Sequence, residues 1–224
     1  MGEHVTLTAS DGQKLDAYVA QSKGEPLAGL VVVQEIFGVN THIRSVADGY
    51  AKDGFLVVAP ALFDRIRPGI ELGYDPPDMQ KAMSLVPKID MEMAVLDVAA
   101  ALEYAAKAAH KKAGVVGYCF GGTLAWLSAT RLRPAAAVGY YGGRIANYAA
   151  ETRSAPVMLH FGKDDAHIPE SAVEKVHAAH PEVEIFWYEN AGHAFNRDIG
   201  PGYNPEAARE ARRRSLDFLK KHLA

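Results

Sequence analysis

Short apolar runs recur along this chain with helix-patterned segments between them, and this alternation limits the folds open to it more than any other feature. Leu30–Gln34, Phe55–Ala59, Gly114–Tyr118, Ala135–Tyr140, Val157–Phe161 and Val183–Trp187 are mostly rich in valine and bounded by glycine, proline or charged residues. Such runs read as strands buried on both faces. Thr41–Asp53, Met91–Ala109, Thr123–Arg131, Glu170–His180 and a last segment from Pro205 to His222 read as helices. Met91, Val95, Val98 and Leu102 share one helical face, and Asn204-Pro205 supplies an N-cap followed by a first-turn proline. Repeated alternation predicts an α/β fold: a mostly parallel sheet with helices on both faces and ligands at the carboxyl ends of its strands. Before it, Val5–Thr8 and Leu15–Ala20 straddle Asp11-Gly12, which predicts an N-terminal antiparallel hairpin.

The 224 residues contain no repeat, low-complexity tract or linker, so a single domain over 1–224 is expected. Residues 60–87 interrupt the rhythm with prolines, glycines and aromatics, and read as an irregular excursion forming a lid or pocket wall over the sheet's carboxyl edge. A net charge of −3 without a long basic run leaves no electrostatic footprint for nucleic acid or an anionic membrane. Arg209, Arg212, Arg213 and Arg214 lie in a helical, Glu-containing stretch and read as a solvated helix face. One cysteine cannot form an internal disulfide, and Met1–Ala9 lacks the basic head and apolar core of a secretory signal, which fits a reducing cytoplasm. Leu30–Val33 and Ala135–Val138 fall far short of the roughly 20 residues that span a bilayer. Oligomeric state is not legible.

The one cysteine sits in Gly117-Tyr118-Cys119-Phe120-Gly121, between a predicted strand and a predicted helix. In the G-x-S-x-G form of this turn the nucleophile holds a strained backbone and its small neighbours admit the substrate. A helix N-terminus aimed at a sulfur favours the thiolate. The competing reading of Cys119 is a small buried apolar residue.

A thiolate acting on an acyl carbon needs a base, a group to orient that base, and N–H donors for the oxyanion. His193 follows the last predicted strand, and Asp165 follows the strand before it. The order Cys119, Asp165, His193 matches the nucleophile–acid–histidine order of α/β-hydrolases. Asp164 competes with Asp165, and His167 is a weaker histidine. His160 falls inside a strand and reads as a hydrogen-bonded core residue, while His42, His110, His177, His180 and His222 sit in or beside helices. No spacing of histidines or cysteines predicts a metal site. Glu35 ends the first strand after the hairpin and so shares the same edge. The backbone N–H groups of Ile36 and Phe120 occupy the oxyanion-hole positions of the α/β-hydrolase layout.

Gln-Glu-Ile-Phe-Gly-Val-Asn at 34–40, Gly-Tyr-Cys-Phe-Gly-Gly at 117–122, Gly-Tyr-Tyr-Gly at 139–142 and Ala-Gly-His-Ala-Phe at 191–195 together resemble the dienelactone hydrolase (carboxymethylenebutenolidase) family over nearly the full length. The resemblance implies a cofactor-free α/β-hydrolase with Cys119, His193 and Asp165 as its triad and no metal. It implies that Glu35 holds the resting thiol until substrate displaces the carboxylate, which then takes the sulfur's proton and leaves a thiolate paired with histidine. The implied reaction is attack of Cys119 on a small lactone, opening to an acyl-enzyme, and hydrolysis, with maleylacetate as the product from dienelactone. Arg197 matches the family's substrate-carboxylate arginine, and Phe37 and Tyr141 fall among its pocket positions.

The chain also departs from that pattern. Met79 stands where the family has a second carboxylate-binding arginine, and Met83 and Val86 stand where it has a pocket tyrosine and tryptophan. This makes the pocket more apolar and less anion-selective. Arg65 or Arg67 of the same excursion is the candidate replacement for the lost charge. A general short-chain carboxylesterase or thioesterase on the same machinery, and a non-catalytic small-molecule receptor on a hydrolase fold, are the alternative functions.

Overall fold

The apolar runs become the middle of one sheet. In the computed structural model, which describes residues 2–223, the strands are β1 (Glu3–Thr8), β2 (Lys14–Ala20), β3 (Gly29–Val33), β4 (Leu56–Pro60), β5 (Ala113–Tyr118), β6 (Ala137–Tyr140), β7 (Val157–Gly162) and β8 (Glu184–Tyr188). They lie in the order β1-β2-β4-β3-β5-β6-β7-β8. β2 pairs antiparallel with β1 and with β4, and every pairing from β4 across to β8 is parallel. Each residue of β3, β4 and β5 is buried, which is why these strands read as unbroken apolar runs rather than as alternating ones. The hairpin turns at Asp11-Gly12, with Gly12 at a φ of 88°.

The helices are α1 (Thr41–Lys52), α2 (Pro76–Leu85), α3 (Met91–Ala109), α4 (Phe120–Arg131), α5 (Glu170–Ala179) and α6 (Pro205–Leu223). Side-chain parity assigns the faces, because successive residues of a strand point to opposite sides. Gly29 of β3 pairs with Ala113 of β5, and a Cβ at Gly29 would meet the backbone of Ala105 in α3 at 2.6 Å. Tyr118 of β5 has the opposite parity, and its hydroxyl lies 3.4 Å from that of Tyr50 in α1. α3, joined by α4, therefore covers one face and α1 the other. Arg212 of α6 stacks 3.5 Å above the Tyr50 ring and so joins α6 to α1.

A polar knot fastens α6 to the sheet. His160 of β7 is fully buried; its Nδ1 lies 2.9 Å from the Tyr188 hydroxyl and its Nε2 2.9 Å from Ser215 Oγ. Ser215 in turn lies 2.7 Å from the Tyr140 hydroxyl. Burial, helped by the positive charge of Arg214, pushes the pKa of His160 down to about 3. Among the described residues no helix is long and apolar enough to cross a membrane.

Residues 60–87 are more regular than their composition predicts. A 3-10 turn at Leu62–Arg65 leads to α2 and then to a second 3-10 turn at Val86–Lys88. Asp75 caps α2 by accepting from Asp78 N–H at 2.9 Å. Pro76 and Pro77 stand in the first turn, where the missing N–H groups would have had no helical acceptor, so they start a helix instead of breaking one. Phe37, Phe63, Ile70, Leu72, Ala82 and Leu85 form a small apolar core of their own that pins this segment down.

Arg65 does not replace the lost substrate charge. Its Nε and Nη2 each donate at 2.7 Å to the two oxygens of buried Asp97 in α3, and its Nη1 donates to Asp11 at 2.7 Å. The side chain is a clamp between the excursion, α3 and the hairpin turn, and the fork geometry of guanidinium suits that bidentate role. Arg67 is exposed.

Candidate active site

The turn after β5 is built to hold Cys119 in an unfavourable conformation. Its φ of 54° and ψ of −112° are rare for a residue with a side chain. A Cβ at Gly117 would collide with the backbone of Gly121, and one at Gly121 would collide with the carbonyl of Val33. Only glycine at both positions lets β5 fold straight into α4 and lets the end of β3 lie against the turn. α4 begins at Phe120, so the first N–H groups of the helix, which lack intrahelical acceptors, stand next to the sulfur.

His193 Nε2 lies 3.1 Å from Cys119 Sγ, and His193 Nδ1 lies 2.8 Å from Asp165 Oδ2. Cys119 follows β5, Asp165 follows β7 and His193 follows β8, so three strand ends supply the three groups. Asp164 N–H donates to the Ala191 carbonyl at 3.0 Å, which joins the two loops. That contact leaves Asp164 exposed and turns Asp165 inward, where the His167 N–H donates to its other oxygen at 2.9 Å. The His167 ring meets that of His193 edge-on at 5.3 Å.

Burial works against a charged ring at His193, but the hydrogen bonds to Asp165 and Cys119 outweigh it and hold its pKa up to about 10. An imidazolium wedged between a carboxylate and a sulfur is the partner a thiolate needs.

Glu35 and Arg197 meet beside this triad. Glu35 is 2% exposed; its Oε1 lies 3.7 Å from Arg197 Nη1, and its Oε2 accepts from the Tyr74 hydroxyl at 3.3 Å. The sulfur is thus on His193 and the carboxylate on Tyr74 and Arg197. This is the histidine-paired arrangement that the resemblance implies for the activated thiol, not the glutamate-restrained one. Arg197, which the resemblance turns toward a substrate carboxylate, is 6% exposed and donates to the Ile199 and Pro201 carbonyls at 2.9 and 3.3 Å.

Tyr141 is fully buried at a φ of 38°, its ring 5.2 Å from that of His193, and its hydroxyl has no hydrogen-bond partner among the described residues. Burial and the nearby charges of Glu35 and Cys119 keep that phenol well above its ordinary pKa. Phe37 is buried with its ring 5.8 Å from the Arg197 guanidinium. Ile36 is half-buried in the loop after β3 and Phe120 opens α4. Met79 and Met83 lie on the outer side of α2, 37% and 59% exposed, and Val86 is half-buried beyond its end. Among the described residues no three His, Cys, Asp or Glu side chains are grouped to hold a metal ion.

Sequence reasoning missed Tyr74. The available signal was an aromatic residue directly before an Asp-Pro helix start, inside a segment expected to fold over the strand ends.

A largely parallel eight-stranded sheet, helices on both faces and a glycine-flanked cysteine at the turn into α4 define an α/β-hydrolase. The chain belongs to the dienelactone hydrolase family, whose profile matches residues 15–223, and it is a carboxylic ester hydrolase. It is 35% identical to a carboxymethylenebutenolidase of Pseudomonas putida, over 97% of this chain and 95% of that one. A carboxymethylenebutenolidase of Cupriavidus pinatubonensis is 32% identical over 98% of this chain and 97% of its own. A crystal structure of a candidate dienelactone hydrolase from Klebsiella pneumoniae superposes with a TM-score of 0.82 at 31% identity, covering 97% of this chain and 98% of that one.

Proposed function

We propose that this protein opens small lactones or esters by nucleophilic attack of Cys119, with His193 and Asp165 as its base and orienting acid. The observation that carries this reading is the 3.1 Å approach of His193 Nε2 to a sulfur held in a strained elbow. The names of the carboxymethylenebutenolidase relatives point to lactones as the substrate class.

In the proposed reaction the Cys119 thiolate forms a bond to the acyl carbon. The carbonyl electrons move to the oxygen, where the N–H groups of Ile36 and Phe120 receive them. Collapse breaks the bond to the ring oxygen, which takes the proton from the His193 imidazolium. In a lactone the released alcohol stays tethered, so the product of this half is a ring-opened thioester on Cys119. His193, now neutral, accepts a proton from water as the water attacks, and release of the carboxylic acid restores thiolate and imidazolium. Asp165 holds the ring throughout and stabilises its charge. The Tyr141 hydroxyl, which has no hydrogen-bond partner among the described residues, supplies a donor to the substrate, and Phe37 shapes the wall.

A general short-chain esterase or thioesterase on the same machinery is favoured by Arg65, whose guanidinium is committed to Asp97 and Asp11. Comparing kcat/KM on a lactone, p-nitrophenyl acetate and a short acyl thioester, for wild type and Cys119→Ala, tests both readings. Cysteine-dependent turnover that is highest on the lactone supports the first, and turnover highest on the acyclic substrates supports the second. Equal rates for wild type and Cys119→Ala contradict both.

A further inference from the structure

The two edges of the sheet are not alike. β1 closes one edge with Glu3-His4-Val5-Thr6-Leu7-Thr8, which is largely exposed and polar, and His4 Nδ1 lies 2.6 Å from Asp16. β8 closes the other with Glu184-Ile185-Phe186-Trp187-Tyr188, where Ile185, Phe186 and Trp187 are each only half-buried. Open edges are ordinarily protected by lysine, proline or a bulge. None of these interrupts the three apolar residues, and their register with β7 is continuous.

The backbone settles which residues face outward. The Tyr188 carbonyl accepts from Lys163 N–H at 2.9 Å, on the β7 side. The N–H and C=O of one residue point the same way along a ladder, and those of the next residue point the opposite way. Glu184 and Phe186 therefore also turn to β7, while Ile185 and Trp187 present their N–H and C=O groups to the open edge. An antiparallel ladder with a second copy, about a two-fold axis at Phe186, sets Ile185 opposite Trp187 of the partner subunit, and each such pair exchanges both hydrogen bonds. Phe186 then faces its own counterpart as a non-hydrogen-bonded pair.

The side chains suit the same register. On the α5 face, Ile185 and Trp187 line a groove of about 290 Å³ with Val173, His177 and Ala178. Aromatic and β-branched pairs between copies cover apolar surface that one copy leaves open. On the α6 face, Arg214 lies 4.2 Å above the Phe186 ring and 5.6 Å from the Tyr188 ring. Glu184 is exposed and makes no ion pair among the described residues. The register sets Glu184 opposite the partner subunit's Tyr188 and so beside the partner subunit's Arg214, which places a carboxylate against a cation at both ends of the ladder.

We propose that β8 is a self-association surface: two copies of this chain join their sheets edge to edge through antiparallel β8 strands related by a two-fold axis at Phe186. The inference goes beyond the proposed catalysis, and its test reads mass rather than turnover.

Sedimentation velocity from about 1 to about 500 µM protein is expected to show a monomer–dimer equilibrium with a Kd on the order of 10 µM, as suits a small interface. Ile185→Lys places a charge in the central pairs and is expected to raise Kd by about tenfold or more. Glu184→Lys, at an exposed position that spares the fold, sets a lysine beside the partner subunit's Arg214 and is expected to raise Kd by about fivefold. Phe186→Cys in a Cys119→Ala background, which removes the one native cysteine, tests the register. Cα atoms of a non-hydrogen-bonded pair stand about 4.5 Å apart, within disulfide reach, so oxidised glutathione should yield a covalent dimer there and none with Glu184→Cys in the same background. A chain that stays monomeric throughout overturns the proposal and leaves the edge to an extended segment of another protein. A dimer that both lysine variants leave intact, or crosslinking as fast through Glu184→Cys as through Phe186→Cys, also overturns it.

Discussion

Asp165 Oδ2 stands 2.8 Å from His193 Nδ1, and the carboxylate is almost completely buried while the ring keeps a quarter of its surface open. The geometry fixes which edge of the ring faces the sulfur. Asp165→Asn keeps the size but can leave the ring in the wrong tautomer, so kcat is expected to fall by about 10³- to 10⁴-fold with little change in melting temperature. Steady-state kinetics and a thermal melt check this. A loss under tenfold would mean that Asp165 does not orient the base.

Activity should persist to high pH. Asp165 and Cys119 raise the His193 pKa from 6.5 to about 10, so in the proposed reaction its charged form would supply the leaving-group proton across neutrality. kcat/KM is expected to decline only as pH rises through about 10. The sign for stability is the same: a raised histidine pKa contributes fully below 6.5 and loses that contribution as pH rises through the folded value. A basic limb near 6.5 in the pH–rate profile would contradict the ion pair.

The buried knot around His160 has the opposite sign. The unfolded chain takes up this proton below about 6.5, whereas the folded chain resists it down to about 3, so stability is full above 6.5 and falls as pH drops between these values. Melting temperatures of wild type should decline more steeply from pH 7 to pH 4 than those of His160→Gln. Parallel declines would show that His160 is not the group responsible.

Glu35 and Arg197 are 2% and 6% exposed, so each needs the other. Glu35→Gln leaves a buried guanidinium without its counter-charge and is expected to cost about 3 kcal/mol in denaturant unfolding, as is Arg197→Met for the carboxylate left behind. The double variant should lose less than the sum of the two. Additive losses would contradict the pair.

The sheet was legible because burial on both faces imposes unbroken apolar runs: β3 and β4 lie within one or two residues of the runs read from the chain. The excursion was not, since prolines signal a break unless they fall in a first helical turn, as Pro76 and Pro77 do. The order Cys119, Asp165, His193 was visible because each follows a strand. The choice between Asp164 and Asp165 was not, because it depends on one backbone bond from Asp164 to Ala191 in another loop. The contacts of Tyr74 and Arg65 were not legible for a related reason: Glu35, Asn40 and Arg197, like Asp11 and Asp97, are distant in sequence, and local pattern says nothing about partners brought together by topology.

The central claim is that the Cys119 sulfur carries the acyl group, and a rapid-quench intact-mass measurement tests it most directly. Mixing excess enzyme with lactone or ester and quenching in acid within the first turnover should reveal protein heavier by the acyl fragment, with peptide mapping placing it on Cys119 and no adduct in Cys119→Ala. Single-turnover hydrolysis with no adduct at any quench time, and an undiminished rate in Cys119→Ala, would contradict the account.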